Sequence, residues 1–165
     1  MSGIDHFPEY PREIRFGAER SGLKFLRLDG WYAVLGPADE PAPDATALLN
    51  EGTIAVFKGN PEREASRPGK LSPVYELIPG GAQAVPTGLV FIRFAEGDSV
   101  GAHEREINRA GYEVAEGLAY ASHAAWLRAR SRSIADALKA IPELEGLPGV
   151  VNIEPQMLRP RAQKL

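Results

Sequence analysis

The sequence predicts an α+β protein, and three observations carry that expectation. From Gly88 to Pro160 the apolar periodicity switches in the order strand, helix, strand, strand, helix, strand. Ser99 and Ser133 stand where the two helices need capping side chains. Before Gly88 lie most of the 14 prolines and several short β-rich runs separated by turn residues. The element order is that of a split βαβ, or ferredoxin-like, layout. Residues 88–165 are therefore expected to form a four-stranded antiparallel sheet with both helices on one face. Residues 1–87 precede it as a small β-rich region without an assigned role.

Each element follows from local signals. Leu23–Leu28 and Trp31–Leu35 flank Asp29-Gly30, a two-residue hairpin signal. Asp44 is placed to cap a brief helix, Ala45–Asn50, which Gly52 ends, and Thr53–Lys58 reads as a strand. After a polar loop, Ser72–Ile78 is a further strand turned by Pro79-Gly80-Gly81. Leu89–Phe94 alternates, with Val90, Ile92 and Phe94 on one face and Leu89, Phe91 and Arg93 on the other. Gly97-Asp98-Ser99 opens the first helix, in which Val100, Ile107 and Ala110 keep helical spacing up to Gly111. Strands at Tyr112–Ala115 and Ala124–Ala129 pair through the loop holding Gly117 and Tyr120. Ser133 with Asp136 imitates a capping box for a helix whose apolar face is Ile134, Leu138 and Ile141, broken or kinked by Pro142. Gly149 turns the chain into the last strand, Val150–Met157, and 158–165 is a polar tail.

Composition narrows the function classes. At 165 residues and 44% hydrophobic, the chain can bury a core without staples. A net charge of −3 from 19 basic and 22 acidic residues gives no single-sign field, which argues against nucleic acid. Cysteine is absent, which excludes disulfides, thiolate metal sites and cysteine nucleophiles. No run of eighteen apolar residues offers a membrane span. The first ten residues lack a basic start and an apolar run, which predicts a cytoplasmic protein, or a secreted one if a leader has been removed.

Catalytic chemistry finds no constellation. The position four after His103 is Ile107, so the two-histidine zinc pattern is missing, and His103 reads as a solvated surface residue. His6 and His123 have no ligand-spaced partner. Glu104 and Glu106, two apart on a helix, point to different faces and read as solvated charges. Ser99 and Ser133 are explained as caps, and Gly80-Gly81 as a turn in front of a strand, not a phosphate cradle. Arg128, Arg130 and Arg132 near Trp126 imitate a single-strand binding platform, but neither outer strand carries interleaved aromatics. No catalytic residue, metal ligand or cofactor is predicted, and the chain is expected not to be an enzyme.

The pieces Val90-Phe91-Ile92-Arg93-Phe94 with Glu96-Gly97, then Ala124–Ala129, then Leu147-Pro148-Gly149-Val150-Val151-Asn152-Ile153-Glu154-Pro155 carry a family likeness. Residues 88–160 resemble the propeptides of subtilisin-like serine proteases, which close on a leucine-proline-glycine-valine turn followed by glutamate-proline. Pro142–Gly146 is an insertion of about one turn relative to the family pattern. The resemblance implies a propeptide-like inhibitor or chaperone of such a protease, acting by substrate mimicry. It implies that Leu89, Phe91 and Trp126 on the open sheet face rest on the enzyme, and that Glu154 belongs to the same interface. It also implies that Ala162, Gln163, Lys164 and Leu165 run through the active site as an added strand. The bland alternative is that residues 1–87 fold over the open face and the chain is a scaffold or interaction domain without protease binding. Oligomeric state is left open.

Overall fold

The computed structural model describes residues 5–16, 22–35, 45, 47–49, 54–59, 61 and 70–159. The chain is mostly antiparallel β, 53% strand against 17% helix. The strands are β1 (Glu13–Arg15), β2 (Lys24–Leu35), β3 (Ala47–Leu49), β4 (Ile54–Lys58), β5 (Lys70–Ile78), β6 (Gln83–Phe94), β7 (Tyr112–Leu118), β8 (Ala121–Ala129) and β9 (Val150–Leu158). Among the described residues the helices are three short ones, α1 (Glu104–Arg109), α2 (Ile134–Lys139) and α3 (Ile141–Glu145), with a 3-10 turn at Gly101–His103 before α1. Contacts divide the chain into two compact units, the first containing 25–86 and the second containing Glu9–Lys24 and Thr87–Gln156.

This composition overturns the expected ferredoxin-like α+β fold. Strands dominate because the residues before Gly88 add five of them, and because β6 begins at Gln83 and runs for 12 residues. The helices are also shorter than their apolar patterns suggest: Ser99–Ala110 yields only a 3-10 turn and the six residues of α1. Ser133–Ile141 becomes α2, and the chain continues into α3 with Pro142 in its first turn. Proline is tolerated there because its missing N–H would have no helical partner.

In the first unit β3, β4, β2 and β5 lie side by side. Trp31↔Lys58 through Leu35↔Ile54 align antiparallel, as do Ala47↔Val56 through Leu49↔Ile54. Period-two alternation splits the side chains cleanly: Ala33, Ile54, Val56, Val74 and Val85 form one core, and Tyr32, Ala55 and Phe57 another. Tyr32 and Phe57 stack across the strands with centroids 5.0 Å apart. Two local expectations fail here. Asp29-Gly30 is no hairpin turn but the middle of β2, since such a turn needs positive φ at both central residues and only Gly30 has it, at 79°. The expected helix at Ala45–Asn50 is replaced over its described residues by β3, where pairing to β4 overrides the helix propensity of alanine and leucine.

In the second unit the order is β9, β6, β8, β7. Val90↔Leu127, Phe91↔Trp126, Ile92↔Ala125 and Arg93↔Ala124 set the β6–β8 register. Val90, Ile92, Phe94 and Leu127 are fully buried on the helix side together with Ile107, Tyr112, Ile141 and Leu144. Each such side chain contributes about 1.5–3 kcal/mol by leaving water. Tyr112 donates its hydroxyl to the Ala137 carbonyl of α2, which fixes that helix over β7. Ser133 caps α2 as its sequence position predicts, its hydroxyl accepting from the Asp136 N–H at 3.1 Å. No helix among the described residues is long and apolar enough to cross a membrane.

Candidate functional site

Alternation along β6 places Leu89, Phe91 and Arg93 on the face opposite the buried Val90, Ile92 and Phe94, and the register brings Trp126 directly across from Phe91. The two rings meet edge to face, centroids 5.3 Å apart and planes at 60°. Leu89, Phe91 and Trp126 are each half-buried, so part of each apolar surface still meets water. One rung further, Glu113 of β7 lies opposite Arg128 of β8 and accepts from Nε at 3.1 Å and Nη2 at 2.8 Å. Arg132 approaches the same carboxylate at 3.8 Å. The Arg128 hydrogen bonds, followed by the charges of Arg128, Arg132 and Arg130, hold Glu113 below the usual carboxylate range. Glu116 is Trp126's partner on β7. The arrangement is an aromatic patch bounded by the compensated Glu113–Arg128 pair and by the exposed Glu116, a surface able to bury apolar area against a protein.

The structure therefore brings Phe91 and Trp126 together and keeps Leu89 on their face. Glu154 is exposed on β9 beside the buried Ile153, and it accepts from Asn152 Nδ2 at 3.3 Å, outside the aromatic pair. Ala162, Gln163, Lys164 and Leu165 lie outside the described residues. Gly149 adopts φ +81°, as the turn before the last strand requires, and its carbonyl accepts from the Ala95 N–H at 3.0 Å.

His103 corrects the sequence reading. Its side chain is only 14% exposed, not solvated. The imidazole lies flat on Phe94, centroids 4.2 Å apart and planes at 6°, with Nε2 2.8 Å from Asp98 Oδ2. Nδ1 stands 3.5 Å from Glu106 Oε2, so Glu106 turns toward the histidine and is no simple solvated charge. The bond to His103, then the Ser99 N–H, holds the Asp98 carboxyl below its ordinary value. The signal was present as the five-residue spacing from Asp98 to His103, but it becomes legible only once the turn folds back. Both ring nitrogens face carboxylates, so the cluster ties the turn to α1. Among the described residues no group of three or more His, Asp or Glu side chains is arranged to hold a metal ion.

Comparison with protein-family models, with curated proteins and with solved structures returns no match.

Proposed function

We propose that the chain is a non-enzymatic protein-binding module whose contact surface is the Leu89, Phe91 and Trp126 face, and that its partner is a subtilisin-like serine protease. The observation that carries the binding surface is the half-buried Phe91–Trp126 pair, directly opposed across β6 and β8 on the side away from the helices. Aromatic anchors of this kind dominate protein interfaces because they bury large areas at small entropic cost. The choice of partner rests on the propeptide-like sequence from Leu147 to Pro155, and the positive φ of Gly149 is the turn geometry that such an ending needs. A scaffold role without protease binding is the second reading. It is favoured by the membership of Glu9–Lys24 in the same compact unit and by the incomplete exposure of all three apolar residues.

The experiment is titration of the intact protein into a chromogenic assay of subtilisin-like proteases, paired with size-exclusion chromatography of the mixture. The proposal expects inhibition and a co-eluting complex. Neither effect with any enzyme of the class leaves the scaffold reading.

A further inference from the structure

We propose that the outer edge of β7, together with the apolar groove beside it, binds an extended polypeptide segment in which basic and apolar residues alternate. This edge adjoins the aromatic face through Glu116, the ladder partner of Trp126, while its groove lies on the opposite side of the sheet. Along the second unit's strand order β7 is terminal, with no strand beyond it among the described residues. Its outer N–H and C=O groups are thus a template for another strand.

The groove has a structural cause. At the β7–β8 hairpin the register passes from Gly117↔Ala125 to Leu118↔Ala121, so residues 122–124 of β8 are left without partners on β7. Ser122 is carried across to accept from the Val100 N–H at 2.9 Å. Meanwhile α1 ends after six residues, too short to cover the distal half of β7. A groove of about 270 Å³ remains, lined by Val100, Val114, Leu118 and Ala125, with Glu104 among its lining residues. That volume lies below the usual small-molecule range of about 300–1,000 Å³ and suits one or two aliphatic side chains. Val114 is 37% exposed, although its ladder partner Leu127 is fully buried.

Charge selects the occupant. Val114 and Leu118 take the groove side of the strand, and Glu113 and Glu116 the other. Glu116 and Glu104 are exposed and form no ion pair among the described residues. A strand laid along β7 would place its alternate side chains in the groove and the intervening ones beside Glu116, where a lysine or arginine is favoured. A second copy of this chain fits poorly, because antiparallel self-pairing centred on Val114 and Ala115 sets Glu113 and Glu116 opposite one another. Like charges so placed are destabilising.

The test uses the full chain and two fluorescein-labelled octapeptides, one alternating lysine with valine and one alternating glutamate with valine, read by fluorescence anisotropy. The lysine–valine peptide should bind at least tenfold more tightly. Its addition should protect amides of residues 112–118 from hydrogen exchange. Glu116→Lys, an exposed change that leaves the circular dichroism melt unaltered, should weaken binding of the lysine–valine peptide at least fivefold, and Val114→Ser should weaken both peptides. Equal binding of the two peptides, an unaltered affinity in Glu116→Lys, or protection that maps to β6 and β8 instead would overturn the proposal. So would a concentration-dependent dimer in sedimentation equilibrium that Glu116→Lys strengthens, since β7 would then be a self-association edge. Val114→Ser, on the groove side of the strand, separates this edge from the aromatic face, where Phe91 and Trp126 report protease binding.

Discussion

Replacing Gly149 by valine is the sharpest test of how the second unit closes. At φ +81° a β-branched residue is strained, at a cost of about 1–3 kcal/mol. The added Cβ would also stand 2.9 Å from Asp98 Oδ2, 3.7 Å from Phe94 Cδ1 and 3.8 Å from His103 Nε2. The carboxylate must therefore move, and it is the atom that holds the 2.8 Å bond to His103. Weakening that bond adds roughly 1 kcal/mol, the usual net worth of an intramolecular hydrogen bond. Together these predict a loss of about 2–4 kcal/mol, which for a chain of this size lowers Tm by roughly 5–15 °C. Thermal unfolding followed by circular dichroism is the assay. Two variants separate the causes: Gly149→Asn tolerates positive φ but keeps the clash, so it should lose less, and an Asp98→Ala background should shrink the valine penalty. A Tm for Gly149→Val within about 2 °C of the parent would refute both the turn conformation and the close approach of Asp98.

Two pH responses follow from the same unit. Tyr112 is fully buried, and desolvation, then Glu143 and Asp136, pushes its hydroxyl pKa far above the ordinary value. The folded state thus keeps a proton that the unfolded tyrosine releases near pH 10, so this contribution is complete below that pH and is lost as pH rises above it. Tyr112→Phe should flatten the alkaline limb of a stability–pH curve while costing about 1 kcal/mol at neutral pH through the lost bond to the Ala137 carbonyl. At the acid end, Asp98 and Glu113 have depressed values, so their stabilisation is present above the unfolded pKa near 4 and is lost as pH falls through the lower folded value. Asp98→Asn should reduce the slope of Tm against pH below about pH 4, and an unchanged slope would show that the His103 bond does not persist in solution.

How much of this was legible in the sequence depended on the range of the forces involved. The alternation Leu89–Phe94 correctly separated the buried Val90, Ile92 and Phe94 from Leu89 and Phe91, because period two is a property of the strand itself. The Ser133 cap and the Gly149 turn were legible for the same local reason. Asp29-Gly30 misled because the partner of Trp31–Leu35 is Ile54–Lys58, a pairing of distant segments that no short window displays. Ala47–Leu49 became a strand for the same cause, and the weight of such pairings turned an expected α+β fold into a mostly β one. His103 was misread as solvated because its burial comes from stacking on Phe94 and from the folded-back turn at Asp98.

If the aromatic face of the second unit binds a protein, a charge placed in it must weaken the affinity. Phe91→Glu and Trp126→Glu would each bury an unpaired carboxylate on docking, a costly change that should raise the Kd for the proposed subtilisin-like protease partner by at least tenfold, or about 1.4 kcal/mol. Isothermal titration calorimetry on the parent and both variants, with circular dichroism melts of each, gives the answer. Weakened binding by variants that remain folded is the expected result. Folded variants that bind as tightly as the parent, or variants that unfold because this face is already covered within the chain, would contradict it.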